Sequence, residues 1–185
     1  LEPIVSESHQ KISKFLSYVL RHRPEEIGLA LDVNGWAMVS ELISKSKAAS
    51  IHLTEDMLRE IVRTSDKQRF ALSDDGRKIR ANQGHSIEVD LALEPTEPPG
   101  ILFHGTAIRF IATIRQEGLK PMNRQHVHLS PDEATAIKVG QRHGKPVVLK
   151  IRAGEMFRSR KVFYLSANGV WLTDSVEAKS VEFPE

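Results

Sequence analysis

The chain has no cysteine, so it carries no disulfide framework, and a reducing cytoplasm is the expected compartment. No apolar run approaches the roughly 20 residues that cross a bilayer, which excludes a membrane-spanning helix. The N-terminal stretch lacks a basic flank followed by an apolar core and a small-residue cleavage site, so no secretory signal is expected. Charge of one sign is also scarce. The net charge is +2, and it divides unevenly: residues 1–95 hold 13 Lys+Arg against 15 Asp+Glu, a net of −2, whereas residues 96–185 hold 13 against 9, a net of +4. This is not a polybasic tail, so a polyanion must be held by a few placed arginines rather than by a broad field.

Several catalytic signatures are missing as well. There is no GxxxxGK[ST] loop and no GxGxxG after a strand, which removes P-loop phosphoryl transfer and Rossmann cofactor binding. No GxSxG elbow supports a serine nucleophile. What is present is a 185-residue chain, 40% hydrophobic and 27% charged, with the composition of a globular protein and room for one large domain or two small lobes.

Taken in order, Ile12, Phe15, Leu16, Val19 and Leu20 recur at helical spacing after a capping Ser8, predicting a helix over roughly 9–22 that Pro24 stops. Arg21 and His22 then sit at its C-terminal end, where the helix dipole favours positive charge. Asn34 and Gly35 mark a turn before a second buried face of Trp36, Val39, Leu42 and Ile43. Thr54 caps a third helix with Leu58, Ile61 and Val62 as its core stripe. RFALS, DDG and RKIRA then read as strand, turn and strand. Helices followed by a hairpin suggest a winged-helix arrangement, with Arg69 turned away from inward-facing Phe70 and Leu72, near Lys67. LEPTEPPG, residues 93–100, has three prolines and is the best linker, dividing a lobe over 1–94 from one over 95–185.

The second lobe opens with ILFHGTA, in which Gly105 lets the backbone approach a ligand and Thr106 caps a helix carrying Ile108, Ile111 and Ile114. Its most informative stretch is RQHVHLSPDEATAIKVGQRHG, residues 124–144. Val127 and Leu129 face a core while His126 and His128 share the opposite strand face. Ser130, Pro131 and Glu133 then read as the cap, first position and capping-box glutamate of a helix. Histidines beside an open helix N-terminus can cradle an anion such as a pyrophosphate; a polar surface is the plainer alternative. A metal on His126 and His128 needs further ligands, and with no cysteine and no HExxH helix none is expected. PVVLKIR at 146–152 reads as a strand, YLSANGVWLT as a hairpin turning at Asn168 and Gly169, and the terminal VEF as an edge strand.

Five separated motifs, FLSYVLRHRPEEIGLALDVNGW, SDKQRFALSDDGRKIRANQGHS, HGT, the 124–144 stretch and ANGVWLT, together resemble the RNA 2′-phosphotransferase family over about residues 11–183. The resemblance implies an α+β enzyme with an N-terminal winged-helix RNA-binding lobe and a C-terminal lobe of the ADP-ribosyltransferase fold that binds NAD. NAD is consumed as a co-substrate and no metal is expected. The implied activity removes an internal 2′-phosphate from RNA, as in tRNA splicing. The 2′-phosphate first attacks the ribose carbon bearing nicotinamide, and the neighbouring 2″-hydroxyl then attacks phosphorus, releasing 2′-hydroxyl RNA and ADP-ribose 1″,2″-cyclic phosphate. A cytoplasmic monomer is expected.

By the same resemblance the catalytic set is Arg21, His22, Arg69 and Arg124, with Lys67 near the RNA. His104, Gly105, Thr106, His128, Ser130, Arg142 and Val170 fall at the NAD site. Val170 stands near where protein-modifying relatives carry a glutamate, a base that an already ionised phosphate does not need. Three fixed cations suit a phosphate, since arginine binds it bidentately and stays charged. His22 either adds a donor or assists proton transfer from the attacking hydroxyl. Two rivals stay open: an ADP-ribosyltransferase that caps terminal phosphates of RNA or DNA, and a non-catalytic winged-helix regulator that senses NAD.

Overall fold

A computed structural model describes residues 7–65 and 67–184. The chain divides into two compact units, Leu1–Ala92 and Leu93–Glu185, each with its own apolar core. Among the described residues no helix is long and apolar enough to cross a membrane.

The described residues of the first unit form the α-helices α1 (Glu7–Arg21), α2 (Val39–Ala48) and α3 (Glu55–Thr64), with an antiparallel sheet of β1 (Ala37–Met38), β2 (Phe70–Leu72) and β3 (Lys78–Ala81) in the order β1-β3-β2. The apolar stripe of α1 is buried through Ile12, Leu16, Val19 and Leu20. Full burial of one such leucine is worth roughly 2 kcal/mol, so the stripe sets which way the helix faces. Ser8 is not the cap: α1 begins at Glu7 and Ser8 lies within it. The helix stops where expected, with the N–H groups of His22 and Arg23 both donating to the Tyr18 carbonyl before Pro24. Thr54 caps α3 by accepting the Met57 N–H at 3.2 Å. The hairpin pairs Phe70 with Ala81 and Leu72 with Ile79, which buries Phe70 and Ile79.

The second unit holds two three-stranded antiparallel sheets. One orders β4 (Leu102–Ala107), β6 (Pro146–Ile151) and the edge strand β9 (Val181–Glu182); the other orders β5 (Val127–Leu129), β8 (Trp171–Thr173) and β7 (Tyr164–Leu165). A bridge between Phe103 and Ser130, with both backbone hydrogen bonds made, joins β4 to the end of β5. The α-helices among its described residues are α4 (Ile111–Glu117), α5 (Glu133–Gly140) and α6 (Ala153–Arg158). Ser166 and Gly169 close the β7–β8 hairpin, Gly169 N–H donating to the Ser166 carbonyl.

Two capping expectations for this unit are corrected. Thr106 does not start a helix; it is 5% exposed inside β4, and a single 3-10 turn over Ile108–Phe110, with Ile108 57% exposed, precedes α4. The strand wins because its ladder to β6 continues through Thr106–Val147 and Ala107–Pro146. Ser130 likewise is not the cap of α5. Its backbone is taken up by the bridge to Phe103, so the chain must pass Pro131 before turning, and Asp132 caps instead, accepting the Thr135 N–H at 2.7 Å. Glu133 is thus the first helical residue rather than the capping-box glutamate.

Candidate active site

In the first unit, the C-terminal end of α1 delivers Arg21 and His22, and the residue just before β2 is Arg69. Both places are tied to the segment that leaves β3, residues 82–86. Asn82 N–H donates to the Arg69 carbonyl at 2.9 Å, and Asn82 Nδ2 donates to the Gln68 carbonyl. Ser86 N–H donates to the Arg21 carbonyl at 3.0 Å, and the Ser86 hydroxyl lies 2.9 Å from His22 Nδ1. Gly84, at φ +89°, brings its backbone beside Arg21, whose guanidinium and Cδ lie within 3.8 Å of where a Cβ would stand. Arg21, His22 and Arg69 are therefore mounted on one short piece of chain. All three are half-buried, while Lys67 is exposed and its neighbour Asp66 lies outside the described residues.

Beneath this cluster His85 is 1% exposed, and among the described residues neither ring nitrogen has a hydrogen-bond partner. Burial pushes its pKa down to about 4, and the positive neighbours Arg21, His22 and Arg80 push the same way. His85 is thus a neutral plug under a cationic cluster. Arg80 lies 4.6 Å over the Trp36 ring, so one apolar-faced cation of this region is engaged structurally.

In the second unit β5 presents Val127 and Leu129 to the core, 3% and 1% exposed, and turns His128 the other way. Arg124 Nη1 lies 3.1 Å from His128 Nδ1. A guanidinium only donates, so Nδ1 accepts and the His128 proton sits on Nε2. His104 Nδ1 lies 3.1 Å from the His128 carbonyl, which only accepts, so His104 donates through Nδ1 and keeps a lone pair on Nε2. Burial lowers the pKa of His104, outweighing the opposite effect of that carbonyl. The two histidines offer a complementary acceptor and donor. Desolvation lowers the Arg124 pKa, and exposed Arg142 adds a positive charge nearby.

His126, just before β5, has contacts of its own. Its Nε2 is 4.0 Å from Asp174 Oδ1 and its ring meets Tyr164 edge-on at 5.7 Å, so it serves the β5–β8–β7 sheet. Burial lowers its pKa, against the raising influence of Asp174. Among the described residues no group of three or more His, Cys, Asp or Glu could hold a metal ion. Gly105 also serves the packing of the unit, because a Cβ there would stand 1.7 Å from the Ala136 carbonyl oxygen; the glycine is what lets α5 lie on β4. Val170 is half-buried beside the hairpin turn, its N–H donating to Ser166 Oγ and its carbonyl accepting from the Ser166 N–H.

The residues that sequence reasoning passed over are Asn82, Gly84, His85 and Ser86. Their signal was in view, since NQGHS ends one of the five motifs, but a polar run after a strand reads as an ordinary loop until its partners are known.

An α+β protein whose Arg21, His22 and Arg69 are tethered to one segment carries donors that suit a phosphate. The family profile described as "RNA 2′-phosphotransferase, Tpt1 / KptA family" matches residues 7–175. The chain is 62% identical over 164 residues to "Probable RNA 2′-phosphotransferase" of Agrobacterium fabrum, covering 89% of this chain and 88% of that protein. It is 58% identical over 168 residues to the protein of the same name in Acaryochloris marina, with 91% and 93% covered, and 55% identical over 174 residues to that of Flavobacterium johnsoniae, with 94% and 96% covered. The chain belongs to the RNA 2′-phosphotransferase family.

Proposed function

We propose that this enzyme removes an internal RNA 2′-phosphate in an NAD-dependent reaction. The phosphate is ADP-ribosylated with release of nicotinamide, and then leaves as ADP-ribose 1″,2″-cyclic phosphate, restoring the RNA 2′-hydroxyl. The observation that carries the reading is the tethering of Arg21, His22 and Arg69 to residues 82–86. Fixed cations lower the cost of charge building on phosphorus because they need no reorganisation as it develops. The family pattern assigns Arg124 to the same phosphate and Lys67 to the RNA, with the first unit acting as a winged-helix RNA-binding lobe.

The second unit is assigned to NAD, with the character of an ADP-ribosyltransferase lobe. NAD supplies the electrophilic ribose carbon. The donor set fits a ribose: His104 Nε2 can accept from a hydroxyl and His128 Nε2–H can donate to one. The Arg142 cation suits the pyrophosphate, with Ser130 and the backbone of His104, Gly105 and Thr106 nearby in sequence or through the Phe103–Ser130 bridge. Val170 places an apolar side chain where a carboxylate would repel the incoming phosphate.

The test is incubation with NAD and an internally 2′-phosphorylated oligonucleotide, following 2′-phosphate loss and nicotinamide release together. Stoichiometric appearance of both products is expected. Accumulation of ADP-ribosylated nucleic acid with no cyclic phosphate would replace this reading with a terminal-phosphate-capping transferase. Binding to duplex nucleic acid with no NAD consumption would replace it with a regulator.

A further inference from the structure

Residues 82–86 have no role in the reaction above, yet each residue that the first unit contributes to the phosphate is tied to them. The helix end already fixes the backbone of His22, since its N–H and that of Arg23 share the Tyr18 carbonyl. What remains undetermined by the backbone is the rotation of the imidazole and the nitrogen that carries its proton. The Ser86 hydroxyl, 2.9 Å from His22 Nδ1, fixes the first of these, and because a hydroxyl donates or accepts it does so with either tautomer. Ser86 is itself held by its N–H on the Arg21 carbonyl at 3.0 Å, and its neighbour His85 is anchored in the core at 1% exposure. The hydroxyl is thus rigidly mounted from two sides.

We propose that Ser86 is a positioning residue for phosphate removal, holding the His22 imidazole through Nδ1 so that its chemistry with substrate is confined to Nε2. The inference rests on the assignment of His22 to the reaction. A ring turned over would present carbon where the working nitrogen belongs. Ser86 is exposed, and its backbone hydrogen bond survives truncation, so Ser86→Ala removes the hydroxyl and leaves the core in place.

Turnover of NAD with a 2′-phosphorylated oligonucleotide is measured for Ser86→Ala, Ser86→Thr, His22→Ala and the double variant His22→Ala/Ser86→Ala. Loss of an orienting hydrogen bond predicts a kcat lower by about tenfold to hundredfold in Ser86→Ala, with KM for NAD unchanged and a displaced pH–rate profile. Ser86→Thr, which keeps the hydroxyl, recovers most of the loss. In the His22→Ala background the serine change costs nothing further, because the two residues act as one unit. Independent of activity, the 15N resonance of His22 Nδ1 should move in Ser86→Ala, which removes a hydrogen-bond partner of that nitrogen. A wild-type kcat in Ser86→Ala beside an inactive His22→Ala overturns the proposal alone, as does an equal further loss in the double variant or an unmoved Nδ1 resonance in Ser86→Ala. A wild-type kcat in His22→Ala overturns the assignment of His22 and the proposal with it.

Discussion

The two units mount their candidate site side chains by different means. In the first, Arg21, His22 and Arg69 stand at the ends of secondary-structure elements, and a single irregular segment, Asn82–Ser86, ties those ends together. In the second, His104 and His128 project from strands, and their orientation follows from the sheet bridge between Phe103 and Ser130 and from a hydrogen bond to a strand carbonyl. The buried histidines show the same contrast. His104 donates to the His128 carbonyl, whereas His85 has no partner among the described residues and fills space beneath the cations. A sheet orients a side chain through its pleat, at no further cost. Element ends leave the backbone frayed, so a separate clamp must restore the geometry.

The largest expected effect separates the units by step. Arg69→Ala should lower turnover by about 10²–10³-fold, as expected for removal of a fixed cation from a developing phosphate charge, with little change in NAD affinity. His104→Ala should instead weaken NAD binding. Steady-state kinetics with NAD varied at saturating RNA checks both, and the same pattern in the two variants would break the contrast.

The next effect is on stability. Gly105→Ala forces a methyl against the Ala136 carbonyl and should cost about 3 kcal/mol or more, because backbone rather than a flexible side chain must move. Gly84→Ala should cost less, about 1–2 kcal/mol, since its burden is a left-handed φ with van der Waals room beside Arg21. Chemical denaturation ranks the pair, and the reverse order would contradict the packing described for α5.

A pH dependence follows from His85. Its folded-state pKa of about 4 lies below the ordinary value of 6.5, so the unfolded chain binds the proton more readily. Stability attributable to this residue is therefore intact above pH 6.5 and falls as pH drops towards 4, by about 2–3 kcal/mol in total. Urea midpoints at pH 7 and pH 4.5 should differ less in His85→Leu than in the wild type. An unchanged difference would show that His85 is not the group responsible. Smaller still, Thr54→Ala removes the cap of α3 and should cost about 1 kcal/mol, read as a lower thermal midpoint.

Periodicity and punctuation in the sequence were enough for α1 and its stop at Pro24, for the Thr54 cap, for both hairpins and for the inward Val127 and Leu129, while the α+β class came with the family resemblance. These depend on local spacing, and side-chain direction alternates with a known period whatever the partner. The motifs were enough to name the family. Tertiary structure alone decided the rest. Ser130 has a good capping side chain, yet it lost that role to Asp132 because Phe103, distant in sequence, claimed its backbone. Gly105 was read as room for a ligand, and the fold adds a second demand on it, room for α5. His126 meets Asp174 and Tyr164, and NQGHS gained its meaning only through Arg21, His22 and Arg69. In each case the deciding contact joins residues far apart along the chain, and no local propensity encodes which distant group will claim a hydrogen bond or a space.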